Sequence, residues 1–283
     1  MLCWGGIMSH RTWPIQSREL TASERQSLWN TIHSRGYREE EVWSVTKDAG
    51  FRERFVRKLE AIPDVRRILL PGCGSETILQ RDLVGHLPQL EEIICSDFEP
   101  AIRIAETSGG SPKVSFHVVD STRVHESWPL RFDVVSPINS VVSESDGENR
   151  AMLAAFSESL RPGGWLLGTF PCIYSIHELY RFASQEKREQ LSAQESLELD
   201  TRTYTWLPRD PELPARVPQL MYSVNDLRIL LDEAGFDLDT LEMTIDVQAG
   251  ASSREGVKQW HGIDDPRVCR WDFMVKVRKK VGG

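Results

Sequence analysis

The stretch RRILLPGCGSETILQ, residues 66–80, decides how the chain is read. A short apolar run, Ile68 to Leu70, stops at Gly72-Cys73-Gly74, and a polar segment suited to starting a helix follows. Two glycines within three residues let a backbone turn tightly and let another group approach it, because neither carries a Cβ. Such a turn either joins a strand to a helix or cradles a nucleotide. The choice between them rests on what lies on either side.

Downstream, short apolar or β-branched runs recur: EEIICSD (91–97), VSFHVVD (114–120), FDVVSPI (132–138) and WLLGTF (165–170). Helix-compatible stretches lie between most of them, at 76–87, 99–107 and 148–160. Alternating strands and helices indicate a parallel sheet with right-handed crossovers, and near-continuous apolar strands indicate a sheet covered on both faces. Upstream, TASERQSLWNTIHSRG (21–36) and AGFRERFVRKLEAIP (49–63) read as helices, the first capped by Thr21 or Ser23 and the second carrying a stripe of Phe51, Phe55, Val56, Leu59 and Ile62. Near the C-terminus, SVNDLRILLDEAGF (223–236) is a helix with Ser223 and Asp226 in a reciprocal cap and Gly235 at its end. The alternating sets Leu241, Met243, Ile245, Val247 and Trp271, Phe273, Val275, Val277 then predict an antiparallel pair joined by a loop.

The strand–helix rhythm breaks over residues 171–222, far beyond an ordinary connection and rich in aromatic residues. A segment of that length in a folded domain is usually functional, so it is read as a lid over a substrate. The organisation expected is a helical N-terminal extension (1–63) followed by one α/β domain (64–283) that contains the insertion.

Composition narrows the function. The 283 residues carry a formal net charge of −8, which argues against a nucleic-acid partner. No apolar run reaches the length of a membrane span, and the opening MLCWGGIMSHR is not a convincing signal peptide. Cys3, Cys73, Cys95, Cys172 and Cys269 occur singly, without metal-ligand spacing, so reduced thiols, a cytoplasmic location and no metal are expected.

In a parallel α/β sheet, ligands gather at the carboxyl ends of the strands. Here those ends carry Gly72-Cys73-Gly74, Asp97, Asp120-Ser121 and SPINS (136–140). Each suits an adenosine derivative. The glycines admit a close approach, Asp97 accepts from both ribose hydroxyls, Phe98 lies against the adenine, and Asp120 accepts from the exocyclic amine. The bland alternatives are that Asp97 caps the helix near Glu99 and that Asp120 caps a turn with Ser121 and Thr122.

The series ILLPGCGSE, SDFEP, VVDSTR, FDVV, LRPGGWLLGTF and YSVNDLRILLDEAGF resembles the class I S-adenosylmethionine-dependent methyltransferases, over roughly residues 64–280. The resemblance implies a Rossmann-like, mostly parallel seven-stranded sheet with an antiparallel last strand. It also implies S-adenosylmethionine as cofactor, bound by Gly72, Cys73, Gly74, Asp97, Phe98, Asp120, Ser121 and Pro137. Two departures stand out: Leu70-Pro71 replaces the acidic position before the turn, and Glu76 stands where a third glycine is common. The rival ligand, a nicotinamide dinucleotide, needs G-x-G-x-x-G opening a helix that receives a diphosphate. Thr77 fills the third glycine position, and Glu76 brings the wrong charge.

For the chemistry, His177, Tyr174 and Asn139 are the catalytic candidates, and Trp43, Tyr180, Arg181, Tyr204 and Trp206 the acceptor-binding ones. If 173–182 is a helix, Ile173, His177, Tyr180 and Arg181 are expected on one face. A small, enclosed acceptor methylated on N or O is the expected partner. Methylation of protein or RNA, or a silent cofactor-binding scaffold, is the alternative, and the oligomeric state is open.

Overall fold

The apolar run of the opening stretch forms strand β1 (Arg67–Pro71) at the centre of a seven-stranded sheet. The computed structural model describes residues 21, 23–24, 27, 29–31, 45–108, 110–183, 195–198, 203–206 and 217–281. β1 pairs in parallel with β2 (Glu92–Asp97) on one side and β4 (Phe132–Val135) on the other, so that Leu69 faces Ile94 and Val135 in register. With β3 (Val114–Val118), β5 (Leu160–Pro171), β9 (Phe236–Gln248) and β10 (Arg270–Lys279), the order is β3-β2-β1-β4-β5-β10-β9. β10 is antiparallel to both its neighbours. The expected mostly parallel sheet with an antiparallel last strand is therefore present.

Strand alternation divides the core between two faces. Leu69, Ile94, Val135 and Leu166 pack with Leu153 and Phe156 of α5 (Asp146–Ser159) and with Leu227 and Leu231 of α7 (Val224–Glu233). Ile68, Leu70, Ile93, Cys95, Val134 and Leu167 pack with Phe51, Phe55 and Leu59 of α1 (Ala49–Glu60) and with Leu79 and Leu83 of α2 (Ile78–His86). Phe51, Phe55 and Leu59 are fully buried, and burying each contributes about 1.5–3 kcal/mol relative to exposure. The helix that precedes the first strand is thus a working part of the layer covering the sheet. The remaining helices are α3 (Glu99–Thr107), the short α4 (Val124–Ser127), α6 (Ile173–Phe182) and α8 (Ala251–His261), and a 3-10 turn, Val45–Lys47, precedes α1.

Local signals act as their chemistry dictates. Thr21 and Glu24 cap reciprocally, the Glu24 N–H donating to Thr21 Oγ1 at 3.3 Å and the Thr21 N–H to Glu24 Oε2 at 2.8 Å. Ser223 and Asp226 form the same box at α7, and Gly235 (φ +83°) follows that helix.

Three features differ from expectation. The connection between β9 and β10 contains α8, where a loop was expected; its Ser253 and Val257 are buried. Within the long insertion, β6 (Glu195–Glu198), β7 (Thr203–Trp206) and β8 (Val217–Leu220) form a small antiparallel sheet. TYTW is a β-branched and aromatic run, the signal that marks such a strand. β9 alternates as predicted, yet near its end Asp246 and Gln248 are buried while Ile245 and Val247 are exposed. A buried polar face there is possible because Arg54 of α1 donates from Nε to Asp246 Oδ1 at 2.6 Å. Among the described residues, no helix is long and apolar enough to cross a membrane.

Candidate functional site

β1 and β4 are adjacent, but the chain leaves them toward opposite ends of the sheet, so a crevice opens between their carboxyl ends. The glycine turn lies at this crevice. Gly72 and Gly74 both take left-handed backbone angles (φ +63° and +64°), and a Cβ on Gly72 would lie 2.3 Å from Ser140 Cβ. Gly72 is therefore required twice, by its own conformation and by the loop after β4 packed against it.

The N–H groups of the turn face inward. Those of Gly72 and Cys73 donate to Ser96 O at 2.7 and 3.2 Å, and that of Gly74 donates to Asp97 Oδ2 at 2.6 Å. The other Asp97 oxygen accepts from Phe98 N–H at 2.7 Å. An ionised carboxylate offers about four acceptor sites, and the Gly74 and Phe98 N–H groups take one on each oxygen of Asp97. A diphosphate cradle needs main-chain N–H groups directed at the ligand, and these three are already engaged. Glu76 makes an ion pair with Lys47 at 3.5 Å, linking the turn to the segment before α1. The Cys73 thiol is pushed well above its usual range, chiefly by the neighbouring Cys95 sulfur, so it is no thiolate nucleophile at neutral pH.

Asp120 lies two residues past Val118, which pairs with Asp97, so the two acids end adjacent strands. Asp120 is exposed, and its Oδ1 accepts from the N–H and hydroxyl of Thr122, both at 2.8 Å. It therefore serves as a turn cap at the rim of the site, with half-buried Ser121 beside it. Phe98, half-buried, is the N-cap residue of α3. Nearby, Glu144 and Asp146 flank Ser145, the N-cap of α5, in keeping with a structural role for that acidic run.

The SPINS loop is clamped to β5. Thr169 N–H donates to Pro137 O at 2.9 Å, and Asn139 N–H donates to Thr169 O at 3.0 Å. A Cβ on Gly168 would sit 2.3 Å from Pro137 O, so only glycine admits this approach. Asn139 itself is left-handed (φ +48°), and its Nδ2 donates to Asp272 Oδ2 at 2.8 Å. Gln248 Nε2 donates to the same oxygen at 2.6 Å. Asp272 is a functional candidate that the sequence reading missed. No local signal marked it, since the same strand also carries Arg270, Lys276, Arg278 and Lys279.

Five buried side-chain atoms at these strand ends have no hydrogen-bond partner among the described residues: Ser96 Oγ, Ser136 Oγ, Asn139 Oδ1, Ser140 Oγ and Thr169 Oγ1. Buried polar groups are normally paired, so their concentration at one edge suits a ligand rich in hydroxyl and amino groups. An adenosyl amino acid has that chemistry, and the anchored carboxylate suits it as well.

The other predicted residues spread differently. On α6, Ile173, Ile176 and Leu179 are buried, while Tyr174, His177 and Arg181 are exposed and Tyr180 is half-buried. The face predicted to join Ile173 with His177 and Arg181 is therefore split: the helix buries its 173–176–179 stripe and turns the other two outward. Arg181 is paired with Glu178 at 2.6 Å. Tyr204 and Trp206 stand on β7, opposite Leu197 and Glu195, with side chains outside the described set, as is the whole of Trp43. Among the described residues, no group of three or more His, Cys, Asp or Glu is placed to hold a metal ion.

No family model matches the sequence, and no curated protein matches it significantly. Solved structures do resemble it. A SAM-dependent methyltransferase from Methanosarcina mazei superposes with a TM-score of 0.58 at 18% identity, covering 80% of this chain and 98% of its own. The 1,6-didemethyltoxoflavin-N1-methyltransferase of Burkholderia thailandensis, with its substrate and S-adenosylhomocysteine bound, gives 0.57 at 16% identity over 94% of each chain. The methyltransferase in a complex with the Haloferax volcanii Trm112 methyltransferase activator gives 0.55 at 13% identity, covering 91% and 98%. The chain has the fold of the S-adenosylmethionine-dependent methyltransferases.

Proposed function

We propose that the protein transfers a methyl group from S-adenosylmethionine to a small-molecule acceptor, on nitrogen or oxygen. The observation that carries this reading is Asp97. It is buried at the carboxyl end of β2, anchored by Gly74 and Phe98 beside the glycine turn, the position from which a carboxylate would meet a ribose diol. The inward-facing N–H groups of the turn count against a dinucleotide.

Fold alone does not choose an acceptor, and the three similar structures differ in setting. The site of this chain supports the small-molecule reading. Its net charge of −8 disfavours a nucleic-acid acceptor, and the insertion after β5 has the length of a lid. On this reading Gly72, Cys73, Gly74, Asp97, Phe98, Ser121 and Pro137 line the cofactor, with Asp120 at the adenine rim. Tyr174, His177, Tyr180, Arg181, Tyr204, Trp206 and Trp43 belong to the acceptor side.

S-Adenosylmethionine held there would supply an electrophilic methyl group to the acceptor's lone pair, with sulfur as the leaving atom. The chain's own work is to hold both reactants in line and keep water out. Titration calorimetry with S-adenosylhomocysteine and with NAD tests the assignment. Binding of the first and not the second is expected, and the reverse overturns it.

A further inference from the structure

Asn139 concentrates several unfavourable features in one side chain. Its backbone is left-handed, which a non-glycine residue adopts at a cost, although Asn tolerates it better than most. Its amide nitrogen is tied to a buried carboxylate that also takes the Gln248 amide. Its amide oxygen is buried and unpaired among the described residues, a condition that destabilises the fold. Costs gathered on one residue at a crevice mark a place where a ligand is to be met.

The orientation of the amide follows from its partner. Asp272 Oδ2 accepts two amide N–H groups, so Nδ2 of Asn139 is turned toward β10 and Oδ1 is turned away from it. Asp272 is secured in turn by its strand, paired with Pro171 of β5 and Asp246 of β9. On the methyltransferase reading, a cofactor held at Asp97 and the glycine turn would bring its sulfur end to the neighbouring β1–β4 crevice. There the loop bearing Asn139 packs on Gly72 through Ser140.

We infer that Asp272 is a positioning residue that, with Gln248, fixes the Asn139 amide so that its oxygen faces the reacting centre and selects a nucleophile carrying a polar hydrogen. An N–H or O–H on the acceptor then donates to Asn139 Oδ1, and this directs the lone pair of the same atom toward the methyl group. A carbon nucleophile without such a hydrogen gains nothing from the arrangement. The inference rests on the methyltransferase reading above.

The test needs no knowledge of the acceptor. Sinefungin is an adenosyl amino acid with an amine-bearing carbon in place of the methylated sulfur, so it presents N–H donors at the reacting position. S-Adenosylhomocysteine presents none there. Calorimetry should show Asn139→Ala and Asp272→Leu each losing about tenfold in sinefungin affinity, as expected for a hydrogen bond to a charged donor, with S-adenosylhomocysteine affinity held within about twofold. Asp272→Asn removes the charge and keeps an oxygen to hold Asn139, so it should retain the wild-type ratio. An unchanged ratio in Asn139→Ala overturns the inference. So does a ratio in Asp272→Asn that falls as far as in Asp272→Leu, because charge rather than position would then explain the effect. If Asp272→Leu fails to fold, Asp272→Ala takes its place, and a wild-type ratio in whichever of the two folds overturns the positioning role. A wild-type protein that binds neither compound rejects the cofactor assignment itself, a different result from loss of sinefungin alone.

Discussion

Gly74 and Asp97, 23 residues apart, are joined by a 2.6 Å hydrogen bond from the glycine N–H to a carboxylate oxygen. The bond makes the turn after β1 and the end of β2 one unit, so the acid also shapes the turn beside it. Asp97→Ala should therefore do two things. It should weaken S-adenosylhomocysteine binding by at least tenfold, and it should lower stability by about 1–3 kcal/mol by leaving the Gly74 and Phe98 donors unpaired. Calorimetry and denaturant melts read the two effects separately. Unchanged binding would remove Asp97 from the cofactor site even if stability fell.

Gly72 supplies a test of packing at the crevice. Gly72→Ala combines a left-handed alanine, at roughly 1–2 kcal/mol, with a Cβ placed 2.3 Å from Ser140 Cβ, at roughly 1–3 kcal/mol more. Adding Ser140→Gly should relieve the second cost and not the first, so the double variant should recover part of the lost stability. Full recovery in urea melts would show that backbone strain contributes nothing at this position.

Much of this was legible in the sequence because short-range chemistry determined it. The strand ends, the caps at Thr21 and Ser223 and the Gly72–Gly74 turn all follow from patterns within a few residues. What the sequence did not reveal depends on distant pairings. Asp272 is 133 residues from Asn139, and nothing local to either distinguishes a partner from an exposed acid. The split face of α6 was misread for a related reason. Helical spacing gives which residues neighbour one another, but only the packing of Ser175 against Trp271, where Ser175 Oγ accepts from Trp271 N–H at 2.9 Å, sets which stripe turns inward. Asp120 illustrates a third limit, since a carboxylate after a strand serves equally as turn cap and as ligand contact.

Asp48 ties the segment before the sheet to the far crossover. It accepts from Phe51 N–H at 2.9 Å as the N-cap of α1, and from Gly250 N–H and Ser253 Oγ, both at 3.1 Å, at the start of α8. Burial acts to raise its pKa and is the largest single influence. The three hydrogen bonds and Arg54 together outweigh it and leave the value lowered. A lowered folded-state pKa stabilises the protein above the ordinary carboxylate value, and that stabilisation is lost as pH falls through the folded value. Asp48→Ala should cost about 0.5–2 kcal/mol at neutral pH for the α1 cap alone, and the deficit should shrink on acidification below about pH 4. A pH-independent deficit in melts would show that the carboxylate's charge is immaterial there.

Asp272 should show the opposite sign. Burial is the leading cause of its raised pKa, with Asp246 adding to it, while Arg270 and the Asn139 and Gln248 amides pull the other way. A carboxyl raised in the folded state keeps its proton after the unfolded chain has lost its own. Its contribution to stability is therefore greatest below the ordinary carboxylate value, falls as pH rises toward the folded value, and is constant beyond. Asp272→Asn carries no such proton and should have none of this slope. The stability of wild type relative to Asp272→Asn, measured by denaturant melts at successive pH values, should thus decline upward from about pH 4 and then level off. A rise over the same interval would mean that the amide donors and Arg270 overcome burial and hold Asp272 as a stabilised carboxylate.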